Sequence, residues 1–175
     1  MHSITKSSAR TGLSMNIAQS FISELDYELP ATRRLLERVP SDKGSWKPHP
    51  KSSALGHLAQ LVTRMPGVMV DIVRGKDLDL AAGPAYSFES TETLLREFDA
   101  HVHEVREVLS SAQDSDFALT WNLRYADQVL DTGQRKDVLR NTINHFVHHR
   151  GQLTVYLRLN DVPIPSLYGP TADEK

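Results

Sequence analysis

The sequence predicts an all-α chain built as a four-helix bundle. Three observations predict it. Four segments each carry one apolar stripe at helical spacing. Breaks rich in proline, glycine and other turn residues separate them. The 175 residues hold no internal repeat, low-complexity run or interdomain linker, so they amount to one domain.

Residues 1–14 are rich in Ser and Thr, with no period and no apolar run. They read as a disordered leader and not as a signal peptide. The domain then spans 15–175, and Met15 is an alternative start to Met1. The first helix covers about Met15 to Val39, with Ile17, Phe21, Leu25, Leu29, Leu36 and Val39 as its stripe. Pro30 should kink or restart it, and Pro40 to Gly44 ends it.

Trp46-Lys47-Pro48-His49-Pro50 must be extended, because each proline restricts the residue before it. The second helix follows, with Ser52 or Ser53 as its expected N-cap. Leu55, Leu58, Ala59, Val62 and Met65 form its stripe. Pro66 is placed to bend it, and Gly75 to stop it. Leu78 to Phe88 reads as a loop.

The third helix starts near Ser90 or Thr91, with Glu92 suited to the positive end of the helix dipole. Leu94, Phe98, Val102, Val105 and Leu109 are its stripe. Trp121, Leu123 and Tyr125 then alternate with polar residues, which is the pattern of a short strand or hairpin. The last helix runs from about Gln134 to Leu159 on Leu139, Ile143, Phe146, Leu153 and Leu157. Val162-Pro163-Ile164-Pro165 leaves as an extended tail. Ile164, Leu167 and Tyr168 should pack back on the bundle, because they would otherwise be exposed apolar groups.

Composition narrows the chemistry. Lys plus Arg is 20 and Asp plus Glu is 22, for a net charge of −2. That balance lacks the basic excess of a nucleic-acid or membrane-surface protein. No run reaches the length of a membrane helix, and a cytoplasmic location is expected. Cysteine is absent, which removes disulfides, thiolate nucleophiles and Cys-ligated metal. The chain has no GxSxG elbow, no GxGxxG and no P-loop. Arg33, Arg34 and Arg38 read as a solvated face.

Histidine is the informative residue type: three of eight fall between His145 and His149. With each residue advancing about 100°, His149 lies about 40° from His145, Gln152 about −20° and Tyr156 about 20°. The apolar stripe centres near 110°, so the two imidazoles flank the core face, while His148 points about 60° the other way into solvent. Two histidines at i and i+4 can ligate one ion from adjacent turns. The alternative is a polar pair hydrogen-bonded to its neighbours. A catalytic zinc-type site needs a third ligand, and His57 on the second helix is the candidate. His101 and His103 read as surface residues, and His49 as structural or exposed.

Three stretches together resemble the DinB family, the damage-inducible four-helix proteins distinct from the polymerase that shares the name. The specific one is Asn144-His145-Phe146-Val147-His148-His149-Arg150-Gly151-Gln152-Leu153, continued by Val155 to Leu159, Val162 to Pro165 and Tyr168 to Glu174. Trp46 to Ser52 with Leu55-Gly56 is similar to the same family, as is Leu29 to Pro40. The resemblance implies a bundle in which one second-helix His and a fourth-helix HxxxH pair hold a divalent cation, Zn²⁺ or Ni²⁺. It also implies a homodimer. Members of known activity are thiol-dependent S-transferases and isomerases, so the implied partner is a small molecule with a low-molecular-weight thiol.

His145 and His149 match the implied pair. The implied second-helix position is Leu61, six residues after Leu55. His57 lies one turn earlier, about 6 Å along the axis. Gln152 and Tyr156 are expected around the metal or the substrate. Two readings follow: a metal-dependent transferase or hydrolase, and a metal-free bundle that binds a small ligand or assembles as a structural dimer.

Overall fold

The computed structural model describes residues 16–83 and 85–174. The expectations about the leader and the start codon fall on residues outside that range. Four helices form the body: α1 (Ile17–Leu36), α2 (Leu55–Arg74), α3 (Thr91–Ser111) and α4 (Arg135–Arg158). Helix α2 packs most extensively against α3 and α4, and α1 lies against α3. No helix of the described residues is long and apolar enough to cross a membrane.

The all-α expectation needs one correction. A small mixed sheet closes one end of the bundle. Strands β2 (Thr120–Tyr125) and β3 (Gln128–Gln134) form the antiparallel hairpin that the alternating pattern suggests. Strand β1 (Leu78–Asp79) joins β2 in parallel, with Leu78 opposite Leu123 and Asp79 opposite Arg124. Two residues are too few to show a period, so β1 reads as loop in the sequence. Its place is set by partners distant in the chain. The Trp121 indole N–H donates to the Lys76 carbonyl at 2.8 Å. The Asn122 N–H donates to Asp77 Oδ1 at 3.0 Å. Asp79 Oδ1 accepts the N–H groups of Ala81 and Ala126, both at 2.9 Å.

Two helix boundaries differ from expectation for physical reasons. Pro30 does not restart α1, which runs through it. Proline removes the bond to the carbonyl four residues back. That carbonyl belongs to Asp26, and both residues are exposed. The N-cap of α2 is Ala54, with no side-chain bond, and not Ser52 or Ser53. Loop carbonyls do the capping instead. Leu55 N–H donates to the Trp46 carbonyl at 2.8 Å, and Gly56 N–H to the Gly44 carbonyl at 2.9 Å. Elsewhere the signals hold: Ser90 Oγ caps Thr93 N–H at 3.1 Å, and Gly75 ends α2 with φ of 76°.

The tail folds back through buried Ile164 and half-buried Leu167, while Tyr168, against expectation, stays 62% exposed; the tail is pinned by charge. Arg150 is buried in α4, with 1% of its side chain exposed. It bonds Glu28 Oε2 on α1 at 2.6 Å, Thr32 Oγ1 at 3.1 Å and the Tyr168 hydroxyl at 2.6 Å. Tyr168 also stacks on Tyr27 at 5.8 Å. The three arginines of α1 are not simply solvated. Arg33 pairs with Asp99 on α3, Arg34 donates to the Ser166 carbonyl, and Arg38 pairs with Glu174.

These contacts give tail docking a pH window. A hydrogen bond from Arg158, then one from the Ile164 N–H, hold Asp173 below its ordinary 3.8. Burial, then a hydrogen bond to Glu28, raise Tyr168 above its ordinary 10.0. A lowered carboxylate stabilises above 3.8, and its contribution is lost as pH falls through the folded value. A raised phenol stabilises below 10.0, and its contribution is lost as pH rises through the folded value. The amides of Ile164 and Ser166 should stay protected between those limits and loosen outside them. The Asp173→Asn variant should lose the acid limb alone. Protection in Asp173→Asn that still falls in acid as in the wild type would show that Asp173 does not set this limit.

Candidate functional site

Helix α4 sets two imidazoles on adjacent turns. His145 and His149 have ring centroids 4.4 Å apart, and their Nε2 atoms are 2.6 Å apart. His149 Nδ1 lies 2.8 Å from Gln152 Oε1. The amide oxygen accepts only, so His149 carries its proton on Nδ1 and presents a lone pair at Nε2. His145 Nε2–H then donates to that lone pair. Burial, followed by the charges of His149 and His148, lowers the pKa of His145 below 6.5, which favours its neutral form.

The donor set can be tested against a metal. Two nitrogens about 2.1 Å from one tetrahedral ion lie about 3.4 Å apart. The pair sits closer than that, at hydrogen-bond distance. A catalytic zinc site also takes three protein ligands. Among the described residues, no group of three His, Asp or Glu is placed to hold an ion. The residues present therefore do not make the three-ligand set.

The structure shows where the third candidate went. The His57 ring stacks on Tyr86 at 3.8 Å and 11°, and the Arg64 guanidinium lies 5.1 Å from the centre of the same phenol. Burial first, then the positive charges of Lys47 and Arg64, lower the His57 pKa. Leu61, not His57, lines the cleft that His145 enters. The Tyr156 hydroxyl donates to the Ser53 carbonyl at 3.3 Å, and its ring meets Trp46 edge-on at 5.7 Å. His148 and His103 are exposed. His49 is exposed too, and its Nδ1 accepts the Lys51 N–H.

A cleft of about 1070 Å³ lies over α2, between α3, α4 and the sheet. Leu61, Val68, Val138 and Leu123 supply apolar wall, and His145 opens into it from α4. His101 opens into it from α3, which corrects its reading as a surface residue. Gly67 makes that possible: a Cβ there would lie 2.8 Å from the His101 ring. The imidazole rests against the α2 backbone, with Nε2 3.9 Å from Glu97. Glu97 in turn accepts from Arg64 Nε at 3.0 Å. The one sequence signal for this contact is a glycine inside a helix, where glycine costs about 1 kcal/mol relative to alanine.

Comparison with known proteins agrees with this architecture. YrdA, an uncharacterized protein of Bacillus subtilis (strain 168), is 26% identical over 157 residues, 88% of this chain and 89% of that protein. The crystal structure of a DinB-like protein from Bacillus cereus ATCC 10987 superposes with a TM-score of 0.68 at 22% identity, covering 86% of this chain and 97% of that one. That of the DinB-like protein YjoA from Bacillus subtilis gives 0.65 at 17% identity, covering 87% and 99%. Those two likenesses establish the fold. Residues 30–175 match the DinB family itself, and the chain belongs to that family.

Proposed function

We propose that this DinB-family chain binds a small organic molecule in the cleft over α2, with His145 and His101 as its polar contacts. One observation carries the reading. The cleft joins about 1070 Å³ of largely apolar wall to imidazoles from two different helices. Ligand sites commonly combine an apolar lining with a few convergent polar groups in about 300–1,000 Å³. The neutral probe N-phenyl-1-naphthylamine should gain fluorescence with the full-length protein. The gain should disappear in Val68→Trp, whose indole fills the floor. An equal gain in Val68→Trp would place the probe elsewhere and overturn this reading.

A second reading has its own support. The paired Nε2 atoms, with Gln152 on the far nitrogen of His149, match the way metal-binding histidines are oriented by their outer partners. A divalent ion held there would need its remaining donors from water or substrate, in a thiol transferase or a hydrolase. Elemental analysis of tag-free protein separates the two. The first reading expects no stoichiometric zinc or nickel after incubation with either ion. It also expects a melting temperature unmoved by chelator, since only a ligand of the folded state shifts it. Near-stoichiometric metal lost in His145→Ala would establish the second. Loss in His57→Ala as well would show that His57 leaves Tyr86 to bind it.

A further inference from the structure

The outer edge of the small sheet is open, and the N-terminal segment joins the fold close to it. The strands lie in the order β1-β2-β3, so among the described residues β3 pairs on one side only. Six of its seven residues are exposed, which leaves the other side uncovered. Leu119, Tyr125, Val129 and Leu130, all on or beside this hairpin, are exposed apolar side chains. A long, apolar, unpaired edge is a template for another strand, and proteins normally cover it. From Ala126 to Gln134 the only charged residues are Asp127 and Asp131. The edge therefore suits a strand that brings positive charge.

A long-range bond fixes where that segment enters the fold. Asn16 Oδ1 caps α1 by accepting the Gln19 N–H at 2.7 Å, and the Ile17 N–H donates to Asp114 Oδ1 at 2.9 Å. Asp114 opens the short 3-10 turn Asp114–Ala118, which leads straight to the base of the hairpin. There the Leu119 carbonyl accepts the Arg135 N–H at 2.9 Å, and Thr120 lies opposite Gln134. The chain thus enters α1 at the Gln134 end of β3. Residues 1–15 span up to about 50 Å when extended, and β3 is about 24 Å long. They hold Lys6 and Arg10 and no acidic residue. An even spacing puts both cations on one face of a strand. We infer that part of residues 1–15 lies along the free edge of β3 as a fourth strand, its cations toward Asp127 and Asp131. The strand is parallel to β3, because both run toward the Gln134 end. A second copy could pair through the same edge, but it would set Asp127 and Asp131 against their like. The N-terminal segment has the opposite charge, and its tether holds it near the edge at about millimolar effective concentration. This inference is independent of any ligand in the cleft.

Hydrogen exchange across residues 128–133 tests it, with the full chain compared to one that begins at Met15. The shorter chain keeps the Asn16 cap and the bond from Ile17 to Asp114, so α1 should still form. In low salt, the amides of β3 should exchange at least about tenfold faster in the shorter chain, while those of α2 are unchanged. A full-length variant with Lys6→Glu and Arg10→Glu should lose the same protection, and it serves as the test if the shorter chain fails to fold. Raising the salt concentration should weaken protection in the wild type, since exposed charges are screened. Equal exchange of β3 in the full and shortened chains overturns the inference. So does a charge-reversed variant that stays protected like the wild type. Protection that rises with protein concentration, together with the sedimentation of a dimer, would assign the edge to a second copy and overturn it as well.

Discussion

Arg150→Ala should cost about 3–5 kcal/mol, the usual penalty for removing one partner of a buried ion pair. The reason lies in what is left behind. Glu28 would keep a carboxylate only 10% exposed, without its guanidinium at 2.6 Å. The Tyr168 hydroxyl would lose its donor while still facing that carboxylate at 2.9 and 3.0 Å. Tail and helix α1 should loosen together. Replacing both members with apolar residues, as in Glu28→Leu with Arg150→Met, removes the orphaned charge and should recover most of the loss. Urea unfolding reads both, with the midpoint moving and the slope retained. A single-variant loss below about 1 kcal/mol, the level of an exposed pair, would show that this pair does not anchor the tail.

Gly56→Ala should destabilise by about 1–3 kcal/mol, the range for overpacking a close-packed contact. A Cβ at Gly56 would sit 2.6 Å from both Cβ and Cγ of Phe88, and one at Gly44 would sit 2.4 Å from its Cδ1. The ring is seated between two glycine backbones. Its Cβ cannot swing clear, so the segment carrying Tyr86 must shift. Phe88→Ala removes the obstacle, and the double variant should cost less than the sum of the two singles. Gly151→Ala is the opposite control. Nothing lies within 4 Å of a Cβ there, so helix propensity alone should stabilise by about 0.5–1 kcal/mol. Gly56→Ala as benign as Gly151→Ala would mean that the Phe88 seat is not rigid.

The residues that carry the family resemblance divide into two uses once folded. His145, His149 and Gln152 make the polar group on α4. Arg150, Tyr168, Asp173 and Glu174 hold the tail down. A motif in the chain does not say which of its members serve chemistry and which serve docking, because adjacent helical residues face about 100° apart. Arg150 illustrates this. It sits next to His149 in sequence, yet it is buried while the histidine is only partly covered.

By itself the sequence determined four helices, most of their boundaries, the hairpin before α4 and the pairing of His145 with His149. All of these are local: they follow from apolar spacing, caps and the geometry of a single helix. The tertiary structure alone decided the rest. It set β1 beside β2, stacked His57 on Tyr86, brought His101 to the cleft across Gly67 and buried Arg150 against Glu28. Each of these joins residues from different elements. Their encounter depends on how the helices cross and where the loops return, and no period within one segment encodes that.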